Sequence, residues 1–174
     1  KEIGLQIANK PDSQDICFVS DDDYASFIEE ESDQKIPEGN FVTPDGKILG
    51  RHKGIIHYTI GQRKGLGLSL GYPAFVLEIR PDTNEVVIGT NEDLMTTRVR
   101  ANKLNFMTVE DLEGEMRVFA KIRYNHKGDW CTVRKTGEDE IECIFETPQR
   151  AVTPGQALVL YDGDYVLGGG TILG

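Results

Sequence analysis

The sequence predicts a mainly β protein: a short helical N-terminal segment, a small central β-rich domain, and a second small β domain closed as a barrel or packed as a sandwich. Three observations carry this. Glycine fills 19 of 174 positions, a density that supplies many turns. From about Val99 onward, short runs of alternating apolar and polar residues follow one another between turn signals. Helical spacing behind a capping signal occurs at one place, Asp21 to about Glu31. The boundaries expected from composition are 1–36, 37–98 and 99–174.

In chain order, Glu2 to Ala8 has apolar residues at mixed helical spacing and stops before Lys10-Pro11. The chain opens on Lys1 as if mid-phrase, so a piece of a longer protein is expected. A turn at Pro11-Asp12-Ser13 leads into Ile16 to Val19, a short buried or extended segment. Ser20 and Asp23 form a capping box, and Tyr24, Phe27 and Ile28 share one face of the helix it opens. Ser32 to Asn40, with Pro37 and Gly39, reads as a linker. Phe41-Val42, Thr43-Pro44-Asp45-Gly46 and Lys47-Ile48-Leu49 read as a tight hairpin. Ile55 to Ile60, β-branched and aromatic, reads as a strand. Ala74 to Ile79 and Glu85 to Ile88 flank the turn Pro81-Asp82-Thr83-Asn84, and Asn91 to Met95 reads as one helical turn.

In the last domain, Arg117 to Tyr124 alternates, with Val118, Ala120 and Ile122 on one face. Trp130 to Lys135 and Ile141 to Glu146 form the next pair. Cys131 and Val133 share a face of one strand, and Ile141, Cys143 and Phe145 share a face of the other, which makes Cys131 and Cys143 core thiols. Ala157 to Tyr161, a turn at Asp162-Gly163-Asp164, and Tyr165 onward continue the series. Gly168-Gly169-Gly170 would let strands bend or cross closely.

Charge is unevenly placed. The chain carries a net −10, yet Gly46 to Leu77 holds no acid and five cations: Lys47, Arg51, Lys53, Arg63 and Lys64. With Gly61, Gly65 and Gly67 beside them, Arg51, Lys53, Arg63 and Lys64 are candidate phosphate contacts; ordinary solvated turns are the competing reading. A second basic run holds Arg117, Lys121, Arg123, Lys127, Arg134 and Lys135 against Asp129 alone, with Tyr124, His126 and Trp130 interleaved. It reads equally as an RNA surface or as an outward strand face. Pro11 to Gln34 carries nine acids and no base, the pattern of a solvated helix face.

Cys17, Cys131 and Cys143 form no metal-ligand spacing, and His52, His57 and His126 are scattered, so no bound metal is expected. An odd cysteine count without a secretory signal points to a reducing, cytoplasmic setting. No apolar run approaches the roughly 18 residues a membrane span needs. Cys17 precedes the helix start, where a thiol is reachable, but Asp12, Asp15 and Asp21 to Asp23 disfavour a thiolate.

Three strings, PDSQDICFV, GRHKGIIHYTIGQRKGLG and TPGQALVLYDGDYVLGGG, resemble the tRNA-specific 2-thiouridylase family, and the resemblance runs through nearly the whole chain. It implies an enzyme in which a PP-loop ATPase domain uses ATP, with Mg2+, to adenylate the C2 oxygen of the wobble uridine of tRNA. A persulfide then delivers sulfur to C2. The family's persulfide cysteine falls on Cys17, and its tRNA contacts fall on Arg123 and Tyr124 of KIRY and on Gln156 of TPGQ. Implied partners are tRNA and a sulfur donor, either a cysteine desulfurase or a sulfur-relay protein. The second domain would then be a β-barrel of the elongation-factor type. No SGGxDS-type ATP loop is present, so the ATP site is expected outside this chain, which should not thiolate tRNA alone. The rival reading is an RNA-binding β-barrel module without chemistry, which would not need a reactive Cys17. A weaker one is an interaction domain whose basic island meets an acidic protein.

Overall fold

The computed structural model describes residues 36–174. Cys17, the capping box and the N-terminal helix lie outside the described residues. Within them the chain is β throughout, save two single 3-10 turns.

The first sheet has four strands: β1 (Gly39–Val42), β2 (Ile48–His52), β3 (Phe75–Arg80) and β4 (Glu85–Gly89), in the order β2-β1-β4-β3. The two hairpins form where the turn residues place them. Lys47 N–H donates to Thr43 Oγ1 at 3.0 Å, and Gly46, at φ 87°, closes the first turn. Asn84, at φ 53°, closes the second. β1 and β4 then pair in parallel, which joins the hairpins into one sheet. Phe41, Val76, Val86 and Ile88 form its core with Tyr58, Leu66 and Ala74 from the intervening loop.

Ile55 to Ile60 is not a strand. Ile55–His57 is a 3-10 turn, and the chain reverses through Thr59 and Gly61. Tertiary packing overrides β propensity here. Gly54 N–H donates to Nδ1 of the buried His52 at 3.1 Å, and His52 Nε2 faces the Asn84 carbonyl at 3.2 Å. The kink drops the Tyr58 ring edge-on against Phe41 and His52, at centroid distances of 5.1 and 5.6 Å.

The second sheet closes into a barrel in the order β10-β5-β8-β7-β6-β9. Its strands are β5 (Met95–Phe106), β6 (Met116–Lys121), β7 (Asp129–Gly137), β8 (Glu140–Arg150), β9 (Ala157–Asp162) and β10 (Tyr165–Ile172), all paired antiparallel. Inward alternation buries Val118, Ala120, Cys131, Val133, Ile141, Cys143, Phe145, Leu158 and Leu160, and Ile122 joins them just past β6. β8 runs on through Pro148, because its pairing with β7 ends at Phe145 and only β5 flanks the remainder. No helix among the described residues is long and apolar enough to cross a membrane.

Candidate nucleic-acid interface

β6 ends at Lys121, so Arg123 and Tyr124 stand in the turn that follows and are not forced to opposite faces of a strand. Ile122 is buried and anchors the turn, while Arg123 and Tyr124 are exposed, Tyr124 to 70 %. Polar contacts hold this turn from inside. Ile122 N–H donates to His126 Nδ1 at 3.4 Å, and His126 N–H donates to the Arg123 carbonyl at 3.1 Å. Nearby, Gln149 Nε2 donates to Asp129 Oδ2 at 3.0 Å. Burial, then the nearby Arg123 charge, hold His126 below its ordinary range and so favour the neutral ring that accepts from Ile122. The Thr147 hydroxyl, above other causes, lowers Asp129 and keeps it an acceptor.

Gln156 reaches the same rim from the other direction. It follows the Pro154-Gly155 turn and directly precedes β9, and β9 lies antiparallel beside β6 with Lys121 opposite Val159. The residue just past the end of β6 and the residue just before the start of β9 therefore meet. Arg123 and Gln156 line one cleft of about 400 Å³, together with Thr59, Gly61, Arg150 and Thr153. The Thr59–Gly61 turn comes from the loop between β2 and β3, and Gly61 is one of the places where the two parts approach closely. Its φ is 86°, and a Cβ there would lie 3.1 Å from the Ala151 Cβ. The YTIGQ, KIRY and TPGQ strings, far apart in sequence, thus converge on one concave surface. Tyr124 stands beside the cleft and does not line it.

The basic island is not gathered in this way. Arg51 pairs with Glu38 at 3.4 Å. Arg63 lines a different cleft of about 500 Å³ with Gly65 to Ala74, and Lys53 and Lys64 are exposed outside its lining. The Gly61 N–H is occupied by the Val76 carbonyl at 2.8 Å. Gln62 braces the loop, accepting from Thr59 N–H and donating to the Lys64 carbonyl.

The second basic run divides. Arg117 pairs with Glu146 at 2.7 Å, Arg134 with the buried Glu142 at 2.8 Å, and Lys135 with Asp111 at 2.7 Å. The first two are cross-strand ion pairs on the barrel wall, and the third ties β7 to the loop between β5 and β6. Among the described residues, no carboxylate pairs with Lys121, Arg123, Lys127 or Arg150, which end β6, β8 or the turn between β6 and β7. Within this run, the cations without a carboxylate partner thus lie at the rim and those with one lie on the wall. Arg150 escapes a reading from sequence; the available signal was its place six residues before Gln156 in QRAVTPGQ.

Cys131 and Cys143 are both fully buried. Their mutual hydrogen bond, then burial, push the Cys143 thiol far above its ordinary range, so it stays protonated and unreactive. Among the described residues, no group of three or more His, Cys, Asp or Glu could hold a metal ion.

Comparison with known proteins agrees with this layout. Residues 25–90 match the tRNA methyl transferase PRC-barrel domain, and residues 96–172 match the aminomethyltransferase beta-barrel domain. The chain is 67 % identical over 172 residues to the tRNA-specific 2-thiouridylase MnmA of Lachnoclostridium phytofermentans, covering 99 % of this chain and 48 % of that protein. It is 52 % identical to the proteins of the same name from Clostridioides difficile and Acetivibrio thermocellus, again covering 99 % of this chain and 48 % of each. The chain spans about half the length of the curated relatives it matches. With two family domains in tandem and this identity over almost all of its residues, the chain belongs to the tRNA-specific 2-thiouridylase family.

Proposed function

We propose that this chain is the tRNA-docking portion of a cytoplasmic tRNA sulfurtransferase that makes 2-thiouridine at the wobble position, and that Cys17 carries the sulfur as a persulfide. One observation supports the docking half above others. Arg123 and Gln156, from opposite strand ends, line a single cleft with the Thr59–Gly61 turn. That cleft holds two guanidinium groups with no Asp or Glu in its lining, in a chain whose net charge is −10. Local patches, not net charge, decide whether a nucleic acid binds.

The parts fit distinct tasks. Arg123 supplies a fixed charge to the sugar-phosphate backbone, and Gln156 supplies an amide that donates or accepts. Tyr124 offers an exposed ring beside the cleft for stacking on an unpaired base. On this reading ATP and Mg2+ act at a site outside the described residues. The Gly61 N–H is already bonded to Val76, and no cluster of metal-binding side chains is present among those residues.

The test is tRNA affinity across a salt series for the wild-type chain, Arg123→Ala and Tyr124→Ala. Arg123→Ala is expected to weaken all tRNAs alike and to lower the salt slope by roughly one unit. Tyr124→Ala is expected to weaken binding by about 1–3 kcal/mol with the slope unchanged. Wild-type affinity and slope in both variants would contradict the assignment.

A further inference from the structure

We propose that Arg150 is a phosphate-binding residue and that, with Arg123, it holds one phosphodiester group of RNA in the cleft between the Thr59–Gly61 turn and the barrel rim. This rests on the docking reading above and adds to it a ligand class and a second guanidinium.

Arg150 ends β8 and is held in place by neutral partners. Its Nε donates to Asn91 Oδ1 at 3.0 Å, and its guanidinium carbon lies 5.2 Å from the centre of the Phe75 ring. These contacts fix the plane of the guanidinium without neutralising it and do not engage its two Nη groups. Other arginines of the barrel are treated differently: Arg98, Arg100, Arg117 and Arg134 each meet a carboxylate, at 3.2, 2.7, 2.7 and 2.8 Å. No carboxylate among the described residues meets Arg150.

A second positive charge is brought to the same place. Arg123 Nη1 donates to the Arg150 main-chain carbonyl at 3.2 Å. The rest of the cleft contains no Asp or Glu; its polar side chains are Thr59, Thr153 and Gln156. Gly61 borders the Arg150 guanidinium directly, since a Cβ there would come into van der Waals contact with Arg150 Nη1 at 3.5 Å. Two guanidinium groups sharing a concave site without an acid repel one another until an anion enters. A phosphodiester suits them, because each planar fork can give two parallel N–H donors to phosphate oxygens.

The experiment compares Arg150→Gln, Arg150→Lys and Arg123→Gln with wild type in two readouts. The first is tRNA affinity against salt. The second is the arginine Nε–Hε NMR spectrum titrated with a short oligouridylate, with uridine as the phosphate-free control. Arg150→Gln is expected to weaken tRNA binding on the order of tenfold and to lower the salt slope by about 0.7–0.9, while Arg150→Lys keeps the slope. The oligouridylate should shift the Arg150 and Arg123 signals, and uridine should shift neither. A purely structural Arg150 would lower thermal stability and leave the slope alone. A wild-type slope in Arg150→Gln, or an Arg150 signal indifferent to the oligouridylate, overturns the proposal even if Arg123 behaves as a tRNA contact. Shifts of both arginines in a chain that fails to bind tRNA would instead refute the docking reading and leave the phosphate site standing.

Discussion

Gly169→Ala is expected to cost at least about 3 kcal/mol of barrel stability, beyond what overpacking usually costs, and to lower the unfolding temperature on the order of 10 °C. The reason is a backbone collision. A Cβ on Gly169 would lie 2.0 Å from the Leu158 carbonyl oxygen and 3.2 Å from the Val159 Cα, both on β9. Neither is the movable end of a side chain, so β9 and β10 would have to separate. β10 also runs close to β5 on its other side, where a Cβ on Gly168 or Gly170 would collide with the Asn105 or Asn102 carbonyl, so there is little room to yield that way. The glycine triplet is thus the strand that closes the barrel, squeezed from both sides. Gly137→Ala is the control: its nearest neighbour, the Glu140 Cβ, is 3.6 Å away, and a change within about 1 kcal/mol is expected. Thermal denaturation of the two variants checks this; equal midpoints would refute the account of closure.

Cys17→Ser is expected to abolish acceptance of sulfane sulfur completely. In the proposed step, the Cys17 thiolate attacks the outer sulfur of a donor persulfide. The S–S bond in the donor breaks, the donor thiolate leaves, and a Cys17 persulfide forms. A persulfide is more acidic than a thiol, which makes the aspartates around Cys17 tolerable once sulfur is loaded. Incubation with a cysteine desulfurase and cysteine, followed by peptide mapping, should place the added mass on Cys17 alone. Cys131 and Cys143 are 0 % exposed and lie in the barrel core. Label on either, with Cys17 unmodified, would contradict the assignment and favour an RNA-binding module without chemistry.

Much of the fold was legible because it is written in local rules. The alternation at Val118, Ala120 and Ile122 and at Ile141, Cys143 and Phe145 has a period of two, and those residues are the barrel core. Turn residues marked both hairpins of the first sheet. Ile55 to Ile60 failed because the deciding partners, Phe41, His52 and Asn84, lie elsewhere in the chain. The second basic run stayed undecided between an RNA surface and an outward strand face for the same reason. A single strand shows its cations but not the acids opposite, and Glu146, Glu142 and Asp111 come from other segments. Arg150 went unread since its neighbours Asn91, Phe75 and Gly61 assemble only when the first sheet meets the barrel. Arg123, Tyr124 and Gln156 came from family resemblance. That Arg123 and Gln156 line one cleft follows from the antiparallel pairing of β6 and β9.

The proposed docking surface for tRNA is the seam between the Thr59–Gly61 turn and the barrel rim. Ultraviolet crosslinking of the chain to tRNA, with the crosslinked peptides sequenced by mass spectrometry, tests it most directly. Crosslinks are expected on the segments around 59–63, 122–127 and 150–156. Crosslinks confined to the ion-paired wall around Arg134, Glu142 and Ile144, with that seam unmarked, would contradict it.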